Sequence, residues 1–117
     1  MFEWEDFLEL AEVLAAEPNN EAAARSAISR AYYATFHAGR DCLVRSRIPI
    51  DRSRNAQLQV QDELRNRSEI VGQAVKRLHV WRKYADYDAL SVPDVARQAA
   101  VAVILARETI DAIKAVS

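Results

Sequence analysis

A chain of 117 residues, half of them hydrophobic and 28% charged, is sized and composed for one globular domain spanning 1–117. Two glycines and three prolines leave little turn material, which argues against a many-stranded fold, and a single cysteine excludes an internal disulfide framework. A net charge of −1 gives no support for bulk nucleic-acid binding, and no apolar run approaches the ~18 residues of a membrane span. The free Cys42 and the mixed acidic and apolar N-terminus lead us to expect a cytoplasmic protein without membrane contact.

In chain order, the spacing predicts a first amphipathic helix over Phe2 to Ala16, with Trp4, Phe7, Leu8, Ala11 and Leu14 on its apolar face. Pro18 stops it, and Asn19 or Asn20 caps the next. A second helix runs from about Glu21 to Arg45 or Arg47, through Gly39. Pro49 keeps Ile48 extended. Asp51 or Ser53 begins an Arg- and Gln-rich segment over 52–67, read as a weak helix or a basic connection. Ser68 starts a fourth segment, with Ile70, Ala74, Leu78, Trp81 and Ala85 on its buried stripe, ending near Tyr87. Ser91-Val92-Pro93-Asp94 reads as a capping box, and the last helix runs from Val92 to about Ala115. Its buried line is Ala96, Ala99, Val103, Ala106, Ile110 and Ile113. The prediction is an all-α fold, a four- or five-helix up-and-down bundle.

Charge is unevenly placed. Residues 1–24 hold seven acids and no Lys or Arg, whereas residues 25–88 hold thirteen cations against seven acids. A basic surface in the middle of the chain, including Arg40, Arg45, Arg47, Arg52 and Arg54, is therefore open to phosphates.

The second helix carries the densest chemistry. Ser26, Arg30, Tyr33, His37 and Arg40 share a polar stripe, Tyr32 and Phe36 form an apolar ridge, and alanines form a third stripe of small residues. Arg82, on the fourth segment, falls between Val71 and Val75 on the wheel and so points toward the apolar sector, where a cation needs partners. Asp86 is the nearest, and Tyr33 is a candidate across the bundle. His37 has the pKa range of an acid–base catalyst. Arg30, Arg40 or Arg82 can stabilise a developing phosphorane charge, and Tyr33 can orient a phosphate or stack on a base. The same residues equally suit a hydrogen-bonded network that only fixes helix register. His79 reads as exposed. No His, Cys or carboxylate spacing suggests a metal, and no Gly-rich loop suggests a nucleotide cofactor.

Ser29-Arg30-Ala31-Tyr32-Tyr33-Ala34-Thr35-Phe36-His37-Ala38, with the downstream Arg82-Lys83-Tyr84-Ala85-Asp86-Tyr87-Asp88 and an Ala-rich last helix, resembles the HEPN domain family of bacteria and archaea. The resemblance spans about residues 5 to 115 and is weakest over 48–68. It implies a helical bundle that forms a homodimer and is paired with a minimal nucleotidyltransferase. It also implies a place in toxin–antitoxin or anti-phage defence, in several branches as a metal-independent endoribonuclease. The family's nuclease motif is an Arg and a following His with four to six residues between them. Arg30 and His37 have that separation, but Arg82 matches the motif's position better, and there Tyr87 and Asp88 stand where the His would fall. The expected catalytic residues are His37, Arg30 and Arg82; the expected RNA- or nucleotide-binding residues are Tyr33, Arg40, Asp86 and Tyr87. The alternative is a non-catalytic module that docks the nucleotidyltransferase.

Overall fold

Helix starts follow the side chains able to cap them. Asn20 Oδ1 accepts the Ala23 N–H at 3.0 Å, and Ser68 Oγ accepts the Val71 N–H at 3.3 Å. At the first helix Glu3 and Asp6 make a reciprocal capping box. The computed structural model describes residues 1–50, 55–88, 90 and 94–116. Among these there are five helices and no strand: α1 (Trp4–Ala15), α2 (Glu21–Arg45), α3 (Ala56–Arg67), α4 (Glu69–Tyr87) and α5 (Val95–Ala115). The all-α expectation holds. The Arg- and Gln-rich segment is helical from Ala56; its expected start at Asp51 or Ser53 lies outside the described residues, as do Arg52 and Arg54. Ser91, Val92 and Pro93 also lie outside them. Asp94 precedes α5 in a left-handed conformation (φ 54°) and makes no side-chain cap bond.

Cross-helix contacts give the directions. Trp4 meets His37 while Phe7 meets Arg30, so α1 and α2 are antiparallel. Arg25 reaches the carbonyls of Ala85 and Asp88 while Tyr33 meets Arg82, so α2 and α4 are antiparallel. Glu12 pairs with Arg107 and Glu5 with Lys114, so α1 and α5 are antiparallel. The four helices α1, α2, α4 and α5 thus alternate in direction. The fifth helix, α3, lies parallel to α2, with Gln57 at Tyr32 and Leu64 at Gly39.

α2 touches every other helix. At 25 residues it is ~37 Å long at 1.5 Å per residue, and it sets the 43 Å long axis of the molecule. Ala24, Ala27, Ala31 and Ala34 are buried where neighbouring helices come close, and Tyr32 and Phe36 are core. Burial of side chains such as Leu8, Ile28, Leu43 and Ile110 contributes about 1.5–3 kcal/mol each. Two expectations of the wheel fail. Ile70 is 82% exposed, and the buried line of α4 runs through Val71, Val75, Leu78, Arg82 and Ala85. Ala96 is exposed in the first turn of α5.

The glycines mark close approaches to α3. A Cβ on Gly72 would lie 2.5 Å from Arg65 Cβ and 2.6 Å from Arg65 Cα, so the α3 backbone would have to shift. A Cβ on Gly39 would meet Leu64 Cδ1 at 2.6 Å, the tip of a flexible side chain, while gaining about 1 kcal/mol of helix propensity. In urea unfolding, Gly72→Ala is expected to cost about 1–3 kcal/mol. Gly39→Ala should stay within about 1 kcal/mol of wild type.

Candidate functional site

Arg82 is the centre of the polar arrangement. Its position on α4 turns it toward α2, and it is only 6% exposed. Nη2 donates to the Tyr33 hydroxyl at 2.9 Å. Nε stands 3.8 Å from Asp86 Oδ2, an ion-pair distance, and makes no hydrogen bond among the described residues. The guanidinium lies over three rings, at 5.5 Å from Tyr32, 5.2 Å from Tyr33 and 5.7 Å from Tyr87. Asp86 also accepts the Ser29 hydroxyl at 3.1 Å, tying α4 back to α2 a second time. Tyr33 and Asp86 therefore meet Arg82 as anticipated, and the Tyr87 ring joins them.

In front of this network lies an open cleft of about 260 Å³, lined by Phe7, Ser26, Ser29, Arg30, Tyr33 and Asp86. Arg30 is half-buried, with its guanidinium 5.7 Å above the Phe7 ring. The cleft offers an anion one cation and the hydroxyls of Ser26 and Tyr33, while Ser29 donates to Asp86, whose carboxylate opposes the anion.

His37 is elsewhere. Its ring stacks on Trp4 at 3.8 Å and 12°, sandwiching the α1–α2 contact, and it does not line the cleft. Tyr33 stands between the two, 6.3 Å from the His37 ring. His37 Nδ1 is buried without a hydrogen-bond partner among the described residues. Burial lowers the His37 pKa below its ordinary value, the nearby Arg40 lowers it further, and Asp41 opposes both. The imidazole is thus held neutral. Arg40 is placed with His37 rather than with Arg82. Trp4, expected in the core, is half-buried as the other half of this stack.

His79 corrects another expectation. It is not simply exposed: it stacks on Tyr32 at 5.1 Å, and its Nδ1 is 2.7 Å from Gln61 Nε2. Burial lowers its pKa, helped by Lys83 and Arg82. The Tyr32 hydroxyl donates to Gln57 Oε1 at 2.7 Å, and burial pushes its pKa up against the pull of Arg82. Gln57, Gln61 and His79 thus clamp α3 onto α2 and α4.

Arg25 was not singled out by the sequence. Its Nη1 donates to the carbonyls of Tyr84, Ala85 and Asp88, and its Nη2 to that of Leu90. One guanidinium from α2 satisfies the orphan carbonyls at the C-terminus of α4. Ser29 was missed as the Asp86 partner. The only sequence signal was that Ser29 lies one turn after Arg25 on the side facing α4.

Among the described residues, no group of three His, Cys, Asp or Glu is arranged to hold a metal, and no helix is long and apolar enough to cross a membrane. No protein family, curated protein or solved structure matches the chain.

Arg82→Ala leaves Tyr33 and Asp86 without their cation and is expected to cost about 3 kcal/mol in urea unfolding. Tyr33→Phe removes one hydrogen bond and should cost about 1 kcal/mol. The two histidines have a pH signature. Their folded pKa values lie below the ordinary 6.5, so the unfolded chain binds more protons as pH falls. The stability they contribute is full above 6.5 and is lost as pH falls through the folded values. Thermal melts from about pH 8 to about pH 5 should decline, and a His37→Gln/His79→Gln variant should decline less.

Proposed function

We propose that this chain is a HEPN-like helical module of a toxin–antitoxin or defence pair, one that acts by binding rather than by cutting. The observation that carries this reading is the separation of His37 from Arg82. Acid–base catalysis of RNA cleavage requires an imidazole within hydrogen-bond reach of the scissile group, beside a cation free to meet the phosphorane. Here the imidazole is stacked under Trp4, and the buried cation is engaged by Tyr33, Asp86 and three rings. On this reading the Arg82 network holds the α2–α4 register of a docking module. The resemblance makes a minimal nucleotidyltransferase the partner.

A second reading, RNA or nucleotide binding, rests on the cleft. Arg30, Ser26 and Tyr33 present donors to an open space in which a phosphate or a base edge can sit.

The test incubates the purified protein with RNA in chelator, comparing wild type, His37→Ala and Arg82→Ala. No cleavage is expected from any of them. Cleavage by wild type that His37→Ala abolishes would reject the non-catalytic reading. The reading expects a minimal nucleotidyltransferase in an adjacent reading frame, and co-expression with it should yield a complex that survives gel filtration; absence of such a frame, or failure of the complex to form, would reject the docking role.

A further inference from the structure

α1 and α4 do not touch among the described residues: each contacts α2 and α5, but neither contacts the other. They occupy opposite corners of the four-helix set, and their outer faces point away from each other. Both run antiparallel to α2, so they point in the same direction along the bundle.

Those two outer faces are opposite in charge. On α1, Asp6, Glu9, Leu10 and Val13 are exposed within a sector of about 100°, at 100° per residue, and Glu17 extends the sector past the helix end. No Lys or Arg occurs in residues 1–24 to neutralise it. On α4, Lys76, Arg77, Val80, Lys83, Tyr84 and Tyr87 are exposed within about 120°. The acids bordering that face have partners, of which only Asp62's is a cation. Glu69 accepts the Gln73 amide, Asp62 pairs with Arg65, and Asp88 Oδ1 accepts the Leu90 N–H. Three carboxylates with two aliphatic side chains thus stand on one side, and three cations with a valine and two tyrosines on the other. Val13 is 62% exposed and Tyr84 56%, so each face also leaves apolar area uncovered.

We infer that the occupant of each face is the other face on a second copy of this chain: α1 of one molecule packs against α4 of the next, head to tail. Such a contact is heterologous, so it adds molecules in rings or open arrays instead of stopping at a two-fold dimer. It differs from the homodimer that the family resemblance implies, and it does not depend on the proposed function. α1 has 12 residues and is ~18 Å long, so one such contact falls below ~1,200 Å² and is weak. The association therefore belongs to the micromolar range or above and is sensitive to ionic strength.

Sedimentation velocity tests this on wild type from about 10 µM to about 1 mM, in about 50 mM and about 500 mM salt. The expected result is a weight-average mass that rises with concentration beyond a dimer, with association weakened at least ~tenfold in the higher salt. Two variants with neutral polar replacements each block one face: Glu9→Gln/Val13→Gln on α1 and Lys83→Gln/Tyr84→Gln on α4. All four positions are exposed, and thermal melts check that both variants keep the fold. Each variant alone should be monomeric, and an equal mixture should form a 1:1 dimer and grow no further, because one open α1 face then meets one open α4 face. A wild type that stays monomeric throughout overturns the inference, as does a dimer that survives in either variant. So does a mixture that remains monomeric. A fluorescent oligo-uridylate that binds monomeric wild type and is lost in the α4 variant would assign the basic face to nucleic acid instead, and would equally overturn it.

Discussion

A guanidinium that cannot lose its proton has to be matched wherever it is buried, and in this bundle Arg82 is buried at the α2–α4 contact. The match comes from both helices. Tyr33 on α2 takes one N–H, Asp86 on α4 faces Nε, and Tyr32, Tyr33 and Tyr87 surround the cation with ring faces. Sliding α4 by one turn, ~5.4 Å, would break the Tyr33 bond and lift the Ser29–Asp86 bond with it. The same slide would pull the last carbonyls of α4 away from Arg25. Two arginines, one from each helix, therefore hold a single register for the antiparallel pair on which the other helices pack.

That architecture has a chemical consequence. A cation held from several sides is worth most as a structural element, because moving it onto a ligand would strand Asp86 and the Tyr33 hydroxyl. What remains accessible is the cleft before it, where Arg30 is stacked on Phe7 but still faces solvent on one side. The imidazole that chemistry would need is committed to Trp4 at the α1–α2 contact. Its neutral state, set first by burial, suits a stacking role between two aromatic rings.

The helices themselves were legible from local signals. Asn20 and Ser68 cap where expected, Pro18 ends α1's segment, and the helical spacing of Leu8, Ala11, Ile28, Tyr32 and Phe36 marks the core faces. The pairing of Arg82 with Asp86 and Tyr33 was legible too, because a cation on an apolar sector demands partners and few were in reach. Ile70 misled for a physical reason: the inward face of α4 centres on Val71, Val75 and Arg82, and Ile70 lies about 100° to one side of Val71. His79 misled because its partners, Tyr32 and Gln61, come from two other helices and leave no trace in its own neighbourhood of the chain.

By itself the sequence determined the all-α class, the caps at Asn20 and Ser68, the alanine face that lets α2 sit among its neighbours, and the polarity of the faces. These are properties of residues three and four apart, which share a surface whatever the rest of the chain does. Only the tertiary structure decided which polar residues meet. Arg30 and His37 lie on one stripe of one helix, yet Arg30 faces a cleft while His37 is covered by Trp4. Arg25, unremarkable in the sequence, closes the end of α4 from 59 to 65 residues away. Such meetings depend on how helices are registered against one another. That register is set by the sum of cross-helix bonds and packing, and no single segment contains it.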